Sequence, residues 1–309
     1  MKAISYSRYG GPEVLEYGEL PEPKIGPDAV LIEVRAAAVN PVDWKCQAGY
    51  LDGLMDTVFP VVPGWDVSGV VVRLGLCVPE FAVGDEVMGY VREDFLSRGT
   101  FAEYVAAPVR TLARKPRTFD FEEAAALPLA GLTAYQALHR PLAVRPGDTV
   151  LVHAAAGGVG SMAVQIARHL GCRVIGAARE AGLERVAELG AEPVRYDEET
   201  FADQVRALAP QGVDAVLDTI GGPFLKLSAP LLAPQGRLAS IADGEVLALG
   251  GTYFWTRPDA ADLAALADLA DAGVLTVRVA RSFPLEQAAE AQRANAAGGL
   301  NGKVVVTVP

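Results

Sequence analysis

The sequence predicts an α/β protein: a mostly parallel sheet covered by helices, joined to a second, β-rich unit. Three observations predict it. Residues 1 to about 115 run as short strands broken by Gly and Pro, among them MKAISYS, AVLIEVRAAAV, VSGVVVRLG, DEVMGYV and TFAEYVAA, the rhythm of a β-rich unit. From FEEAAALPLAGLTAYQALHR onward, β runs such as DTVLVHA, CRVIGAA and VDAVLDTI alternate with helical stretches such as GLERVAELG and FADQVRALA. That alternation predicts βαβ units and a parallel sheet. After residue 258 come a helix, DAADLAALADLADAG, a strand, VLTVRVARS, a second helix, PLEQAAEAQRANAAG, and a final strand, KVVVTV. The boundaries therefore fall near 117 and 258, giving segments 1–117, 118–258 and 259–309.

Size and charge agree with two domains and limit the partners. A chain of 309 residues, 51% of them hydrophobic, exceeds the usual size of one domain. It has no apolar run long enough for a membrane span, and MKAISYSRYGG lacks the basic and apolar regions of a secretory signal, so a cytosolic location is expected. Cys46, Cys77 and Cys172 form no CxxC pair and are too scattered for a disulfide framework. A net charge of -11 argues against a nucleic-acid partner.

The stretch HAAAGGVGSMAVQIARHLG joins a strand to a helix, and Met162, Ala163, Ile166, Ala167 and Leu170 form one apolar stripe of that helix. The turn Ala155-Ala156-Gly157-Gly158-Val159-Gly160 follows the Gly-x-Gly-x-x-Gly dinucleotide fingerprint with Ala155 in place of its first glycine. A pyrophosphate reaches unpaired N–H groups and the positive end of a helix only if no side chain stands between, and the last glycine lets helix and strand pack closely. The other reading is a tight strand-to-helix turn with no ligand.

The segment GDTVLVHAAAGGVGSMAVQIAR resembles the signature of the zinc-independent, zeta-crystallin-like quinone oxidoreductases, a branch of the medium-chain dehydrogenase/reductase superfamily. MKAISYSRYGGPEVLEYGELPEP, VRAAAVNPVDWK, VVPGWDVSGVV, GTFAEYVAAP, LPLAGLTAYQAL and LDTIGG are similar to further blocks in family order. The resemblance implies a Rossmann doubly wound parallel sheet inserted into a GroES-like β-rich catalytic domain, which the last fifty residues rejoin, with the active site in the cleft between the two. It also implies a homodimer, because LALGGTYFWTRP is similar to the edge that pairs between subunits in relatives; a strand buried within one subunit is the alternative.

An acidic side chain about twenty residues past the glycines would bind an adenosine ribose hydroxyl and repel a 2′-phosphate. That place is taken by Ala178, followed by Arg179, which could pair with the phosphate and favour NADPH over NADH. One charge-assisted hydrogen bond of roughly 1.5–3 kcal/mol supplies about a tenfold to hundredfold preference. Glu180 counts against this if it points inward, and an exposed Arg179 with no ligand role is the alternative. Tyr196 matches a family position that closes over the adenosine phosphate end, and Thr133 one beside the nicotinamide carboxamide, although helix packing also accounts for Thr133. Thr219 and Ser240 close two strands at the carboxyl ends where such sheets bind ligands.

No metal is expected. Where zinc-dependent members of the superfamily place their ligands, alignment of the blocks puts Asn40, Trp65 and Leu129, none of which binds zinc usefully. Cys46 has no partner ligand nearby and reads as a small apolar residue. Reduction of a quinone or conjugated carbonyl does not need the Lewis acid that alcohol oxidation needs.

The catalytic candidates lie in NPVDWKCQAGY. Asn40 and Asp43 match positions lining the nicotinamide side of the cleft, and Asn40 could donate to an acceptor oxygen. An Asn-Pro turn with a helix-capping Asp accounts for the same residues without catalysis. Tyr50 lies one place before a family tyrosine and Lys45 stands where some relatives carry Tyr, so either is a weak proton-donor candidate. Three functions stay open: an NADPH-dependent quinone reductase, favoured by the resemblance; an NADPH-dependent reductase of activated double bonds, in which Tyr50, Lys45 or Asp43 would matter more; and an NADPH-binding structural or regulatory protein without turnover.

Overall fold

The computed structural model describes residues 1–309 and resolves them into two units, each with its own sheet. The first comprises Met1–Leu129, Pro258–Ala272 and Val277–Pro309; the second comprises Ala130–Arg257 and Gly273–Thr276.

In the first unit β1 (Lys2–Ser5) and β2 (Glu16–Glu19) pair as a ribbon. The strand β3 (Ala29–Val39) follows, then a short helix α1 (Pro41–Gln47). Next come β4 (Asp56–Val62), β5 (Asp66–Leu74), β6 (Glu86–Tyr90), β7 (Phe95–Arg98), β8 (Tyr104–Pro108) and β9 (Leu112–Arg114). The parallel pairing of β4 with β7 was not legible in the sequence, because DTVFPVV carries a proline and is largely exposed. Helix α2 (Phe121–Ala126) closes this part.

The sequence AVLIEVRAAAV of β3 is buried along almost its whole length. Val30, Ile32 and Val34 face the main apolar core, while Ala36 and Ala38 pack with Ala125 and Ala126 of α2. Their small side chains let the helix lie close on the sheet. This contact holds α2 in the first unit, which therefore extends to Leu129 rather than ending near residue 117.

The second unit starts in α3 (Pro128–His139) and alternates strand with helix: β10 (Thr149–Val152), α4 (Gly158–His169), β11 (Arg173–Ala178), α5 (Leu183–Glu188), β12 (Glu192–Arg195), α6 (Phe201–Leu208), β13 (Val213–Asp218), α7 (Gly222–Ser228), β14 (Leu232–Ser240) and β15 (Thr252–Tyr253). The strands are parallel throughout, in the order β12-β11-β10-β13-β14-β15. The order reverses beside β10, the place where doubly wound sheets bind ligands at the carboxyl ends of their strands. Gly160 sits at that point because nothing larger fits: a Cβ there would lie 2.1 Å from the Ala154 carbonyl oxygen.

Helix α8 (Ala260–Asp271), strand β16 (Val279–Pro284), helix α9 (Ala288–Ala297) and strand β17 (Lys303–Thr307) belong to the first unit. The run VLTVRVARS is only partly strand, since β16 begins at Val279 and Gly273–Thr276 belong to the second unit. Strand β17 pairs antiparallel with β3, from Val304 opposite Val39 to Thr307 opposite Ala36. The first unit's sheet then runs β16-β17-β3-β5-β6-β9, with β8 also paired to β3.

Gly160→Ala is expected to lower unfolding stability by about 1–3 kcal/mol, since an added methyl has no room against backbone. Gly244→Ala, where an added Cβ meets nothing within 4 Å, serves as control and is expected to stay within about 0.5 kcal/mol in the same urea titration.

Candidate active site

Strand β10 ends at Val152, and the turn after it is fixed mainly through backbone groups. Ala154 adopts φ +46, a left-handed conformation that costs a non-glycine residue energy. Its N–H donates to the Tyr196 hydroxyl at 2.5 Å, and its carbonyl accepts from the Gly157 N–H at 2.7 Å. Gly157 caps α4 with no side chain over the helix end. The first bond of α4 runs from the Ser161 N–H to the Gly157 carbonyl at 2.9 Å, which leaves the N–H groups of Gly158, Val159 and Gly160 without a helical acceptor. These three donors and the positive end of the helix suit an anion.

Below the turn lies a buried polar network that the sequence did not reveal. His153, fully buried, places Nδ1 2.7 Å from Asp218 Oδ1 and Nε2 2.9 Å from Ser228 Oγ. Asp218 also accepts from the Ser240 hydroxyl at 2.5 Å and from the Gly221 N–H at 3.0 Å. Burial alone would raise the Asp218 pKa, but these bonds, that from His153 foremost, hold it below the usual value. The Thr219 hydroxyl donates to the His153 carbonyl at 3.0 Å. Within the protein, then, Thr219 and Ser240 donate their hydroxyls to the turn and the network beneath it, and Tyr196 accepts from the turn. Thr133 is buried, its hydroxyl 2.7 Å from that of Thr256.

At the end of β11, Ala178 is buried and Arg179 is exposed. Glu180 points outward: its carboxylate is 77% exposed and lies 3.7 Å from Arg195. No carboxylate therefore opposes an anion at Arg179 from this position.

The first unit holds a second buried network. The Asp43 carboxylate accepts from the Asn40 N–H at 2.7 Å, closing the first turn of α1. Asn40 Nδ2 donates to Asp66 Oδ2 at 2.8 Å, and its Oδ1 accepts from the Lys303 ammonium. Asp66 Oδ1 accepts from the Leu129 N–H at 2.8 Å, and Lys303 Nζ stands 3.9 Å from Asp66 Oδ2. Both ends of the Asn40 amide are thus engaged inside the protein, instead of facing an acceptor oxygen. Burial, reinforced by the Asp66 charge, pushes Asp43 up to about 7; burial likewise pushes Asp66 up to about 6 and Lys303 down. Asp43 and Cys46 line a narrow cavity of about 20 Å³, room for about one water, together with Tyr6, Trp65 and Leu96. The Cys46 thiol is pushed up to about 12 by burial. Tyr50 is 73% exposed and does not line this cavity; the Lys45 ammonium lies over the Trp44 ring, 5.6 Å from its centre.

Comparison with known proteins agrees with this layout. Residues 26–117 match the alcohol dehydrogenase GroES-like domain and residues 189–306 the zinc-binding dehydrogenase domain. The human quinone oxidoreductase is 31% identical over 99% of this chain and 97% of its own length. The chain belongs to the quinone oxidoreductase family of the medium-chain dehydrogenase/reductase superfamily. Another relative, the chloroplastic NADPH-dependent alkenal/one oxidoreductase of Arabidopsis thaliana, is 39% identical over 80% of this chain and 67% of its own. The solved quinone oxidoreductase of Coxiella burnetii superposes with a TM-score of 0.88 at 33% identity, covering 100% of this chain and 99% of that one.

The zinc implied by one of these domain descriptions does not fit the residues present. Asn40, Trp65 and Leu129 offer an amide, an indole and an aliphatic group, and no three His, Cys, Asp or Glu side chains gather to hold a metal ion. The one cation in the Asn40–Asp66 network is the Lys303 ammonium. Its partner Asp66, like His153 and Asp218, stood in the sequence as a polar residue at the edge of an apolar run, a signal too weak to separate from ordinary surface.

Asp218→Asn is expected to cost about 2 kcal/mol of stability at neutral pH, because His153, Ser240 and Gly221 lose a charged acceptor. The Asp218 pKa is depressed in the folded state, so this stabilisation is present above the unfolded value near 3.9 and is lost as pH falls through the folded one. Thermal unfolding of the two proteins is therefore expected to converge in acid.

Proposed function

We propose that this chain is an NADPH-dependent reductase that passes a hydride to a quinone. The observation that carries the reading is the uncapped start of α4, three N–H donors behind two glycines, with Arg179 at the end of the neighbouring strand. Gly158, Val159 and Gly160 would hold the diphosphate, the small Ala178 side chain leaves room beside the ribose, and the Arg179 guanidinium pairs with a 2′-phosphate. NADPH, when bound, supplies the hydride. The protein contributes binding, orientation and exclusion of water. Hydroquinone formation takes its proton on oxygen, which water can supply.

Reduction of an activated carbon–carbon double bond is the second reading, favoured by the 39% identity to the alkenal/one oxidoreductase. Membership of a family of oxidoreductases speaks against a protein without turnover. The partners in this reading are small-molecule acceptors and a second copy of the chain. The dimer is supported by β15, a two-residue edge strand at the end of the sheet, flanked by exposed Leu247, Leu249 and Trp255. Three free cysteines suit a cytosolic home.

Arg179→Ala is expected to lower kcat/KM for NADPH by about tenfold to hundredfold and to leave that for NADH unchanged. Equal efficiency of the parent with both dinucleotides, measured with one quinone, would overturn the assignment. Light scattering is expected to give twice the chain mass, and Trp255→Glu to give the single mass.

A further inference from the structure

Arg179 is not the only charged group at its end of the parallel sheet. Parallel pairing sets Arg195 of β12 opposite Ala178 of β11, and the Tyr196 N–H donates to the Ala178 carbonyl at 2.9 Å. The main chain of Arg195 is clamped by Gln204 of α6, whose Oε1 accepts the Arg195 N–H at 3.1 Å and whose Nε2 donates to the Arg195 carbonyl at 3.3 Å. Its guanidinium therefore reaches out from a fixed point. Nη2 donates to Asp197 Oδ2 at 2.9 Å, and Nη1 stands 3.7 Å from Glu180 Oε2. All of these residues belong to the second unit.

Glu180 has two cations to choose between: Arg195 across the strands, and Arg179 next to it in the chain. It faces the first, while Arg179 is exposed and has no ion pair within the protein. Exposed pairs of this kind hold loosely, so the carboxylate goes to whichever cation is within reach, and what matters is the one it leaves bare. A carboxylate turned onto Arg179 would take the N–H donors that a phosphate needs and set a like charge beside it. At about 4 Å in water that repulsion weakens binding roughly fivefold for each unit charge, and a phosphate monoester carries nearly two.

We propose that Arg195 is a positioning residue for dinucleotide choice: by holding the Glu180 carboxylate on the β12 side, it keeps the Arg179 guanidinium free for the 2′-phosphate of NADPH. The inference rests on the NADPH reading above and adds to it a residue that acts through another. The charges of Arg179, Arg195, Glu180 and Asp197 sum to zero, so this edge attracts an anion only through their arrangement. Two carboxylates gathered on one arginine leave the second arginine bare.

Calorimetric titration of the full chain with adenosine 2′,5′-bisphosphate and with adenosine 5′-monophosphate reads the contribution of the 2′-phosphate without any turnover. Arg195→Ala is expected to weaken the bisphosphate about 5-fold to 20-fold and to change the monophosphate by less than about 2-fold. Adding Glu180→Gln to Arg195→Ala is expected to bring the bisphosphate back to within about 2-fold of the parent, a rescue that neither a disturbed strand end nor direct contact of Arg195 with the phosphate would give. No loss in Arg195→Ala, or a loss that persists in the double variant, overturns the proposal. A crystal structure of Arg195→Ala without ligand tests it apart from any dinucleotide: the Glu180 carboxylate is expected within about 4 Å of the Arg179 guanidinium, and a carboxylate still turned away overturns the proposal. A parent that binds the two nucleotides equally overturns the NADPH reading and with it the choice assigned to Arg195, whereas the crystal structure still decides what holds Glu180.

Discussion

A carboxylate taken out of water must be met by donors at hydrogen-bond distance, and each unit of this molecule is organised around one that is. In the parallel-sheet unit it is Asp218, at the carboxyl end of β13, joined to His153 at 2.7 Å and Ser240 at 2.5 Å. In the β-rich unit it is Asp66, at the start of β5, joined to Asn40 and Leu129 at 2.8 Å. Each anchors the loop next to it. His153 precedes the strained Ala154 and the glycines, so the Asp218 network fixes where the helix donors point; Asn40 opens α1, so the Asp66 network fixes where Asp43 sits.

The two networks differ in what they leave free. Around Asp218 the hydroxyls of Ser240 and Thr219 donate inside the protein, while that of Tyr196 above it accepts from the Ala154 N–H. The N–H groups at the start of α4 suit an anion held by the main chain. Around Asp66 the neighbouring Asp43 carboxyl, closed onto the Asn40 N–H, borders a cavity with room for about one water.

Local pattern in the sequence carried much of this. The stripe of Met162, Ala163 and Ile166 located α4, and the glycines before it located the turn. The strand runs VDAVLDTI and CRVIGAA fell on β13 and β11. What was hidden depends on pairs far apart in the chain. Lys303 meets Asn40 only because β17 docks on β3 in one register, a contact across 263 positions with no local trace. The first unit's claim on α2 rests on alanine packing against Ala36 and Ala38, which helical periodicity does not report. Tyr50 resembled a catalytic residue by position in a motif, yet the chain turns its ring out to solvent at 73% exposure.

Ala178 ends a strand buried along nearly all its length, and Arg179 stands in solvent one residue later. In the proposed reading, the atoms that discriminate between dinucleotides are thus almost uncoupled from the core that folds the unit. A lineage whose metabolism drew on a different reductant pool could be rematched by one or two codon changes there, with the sheet beneath left as it is.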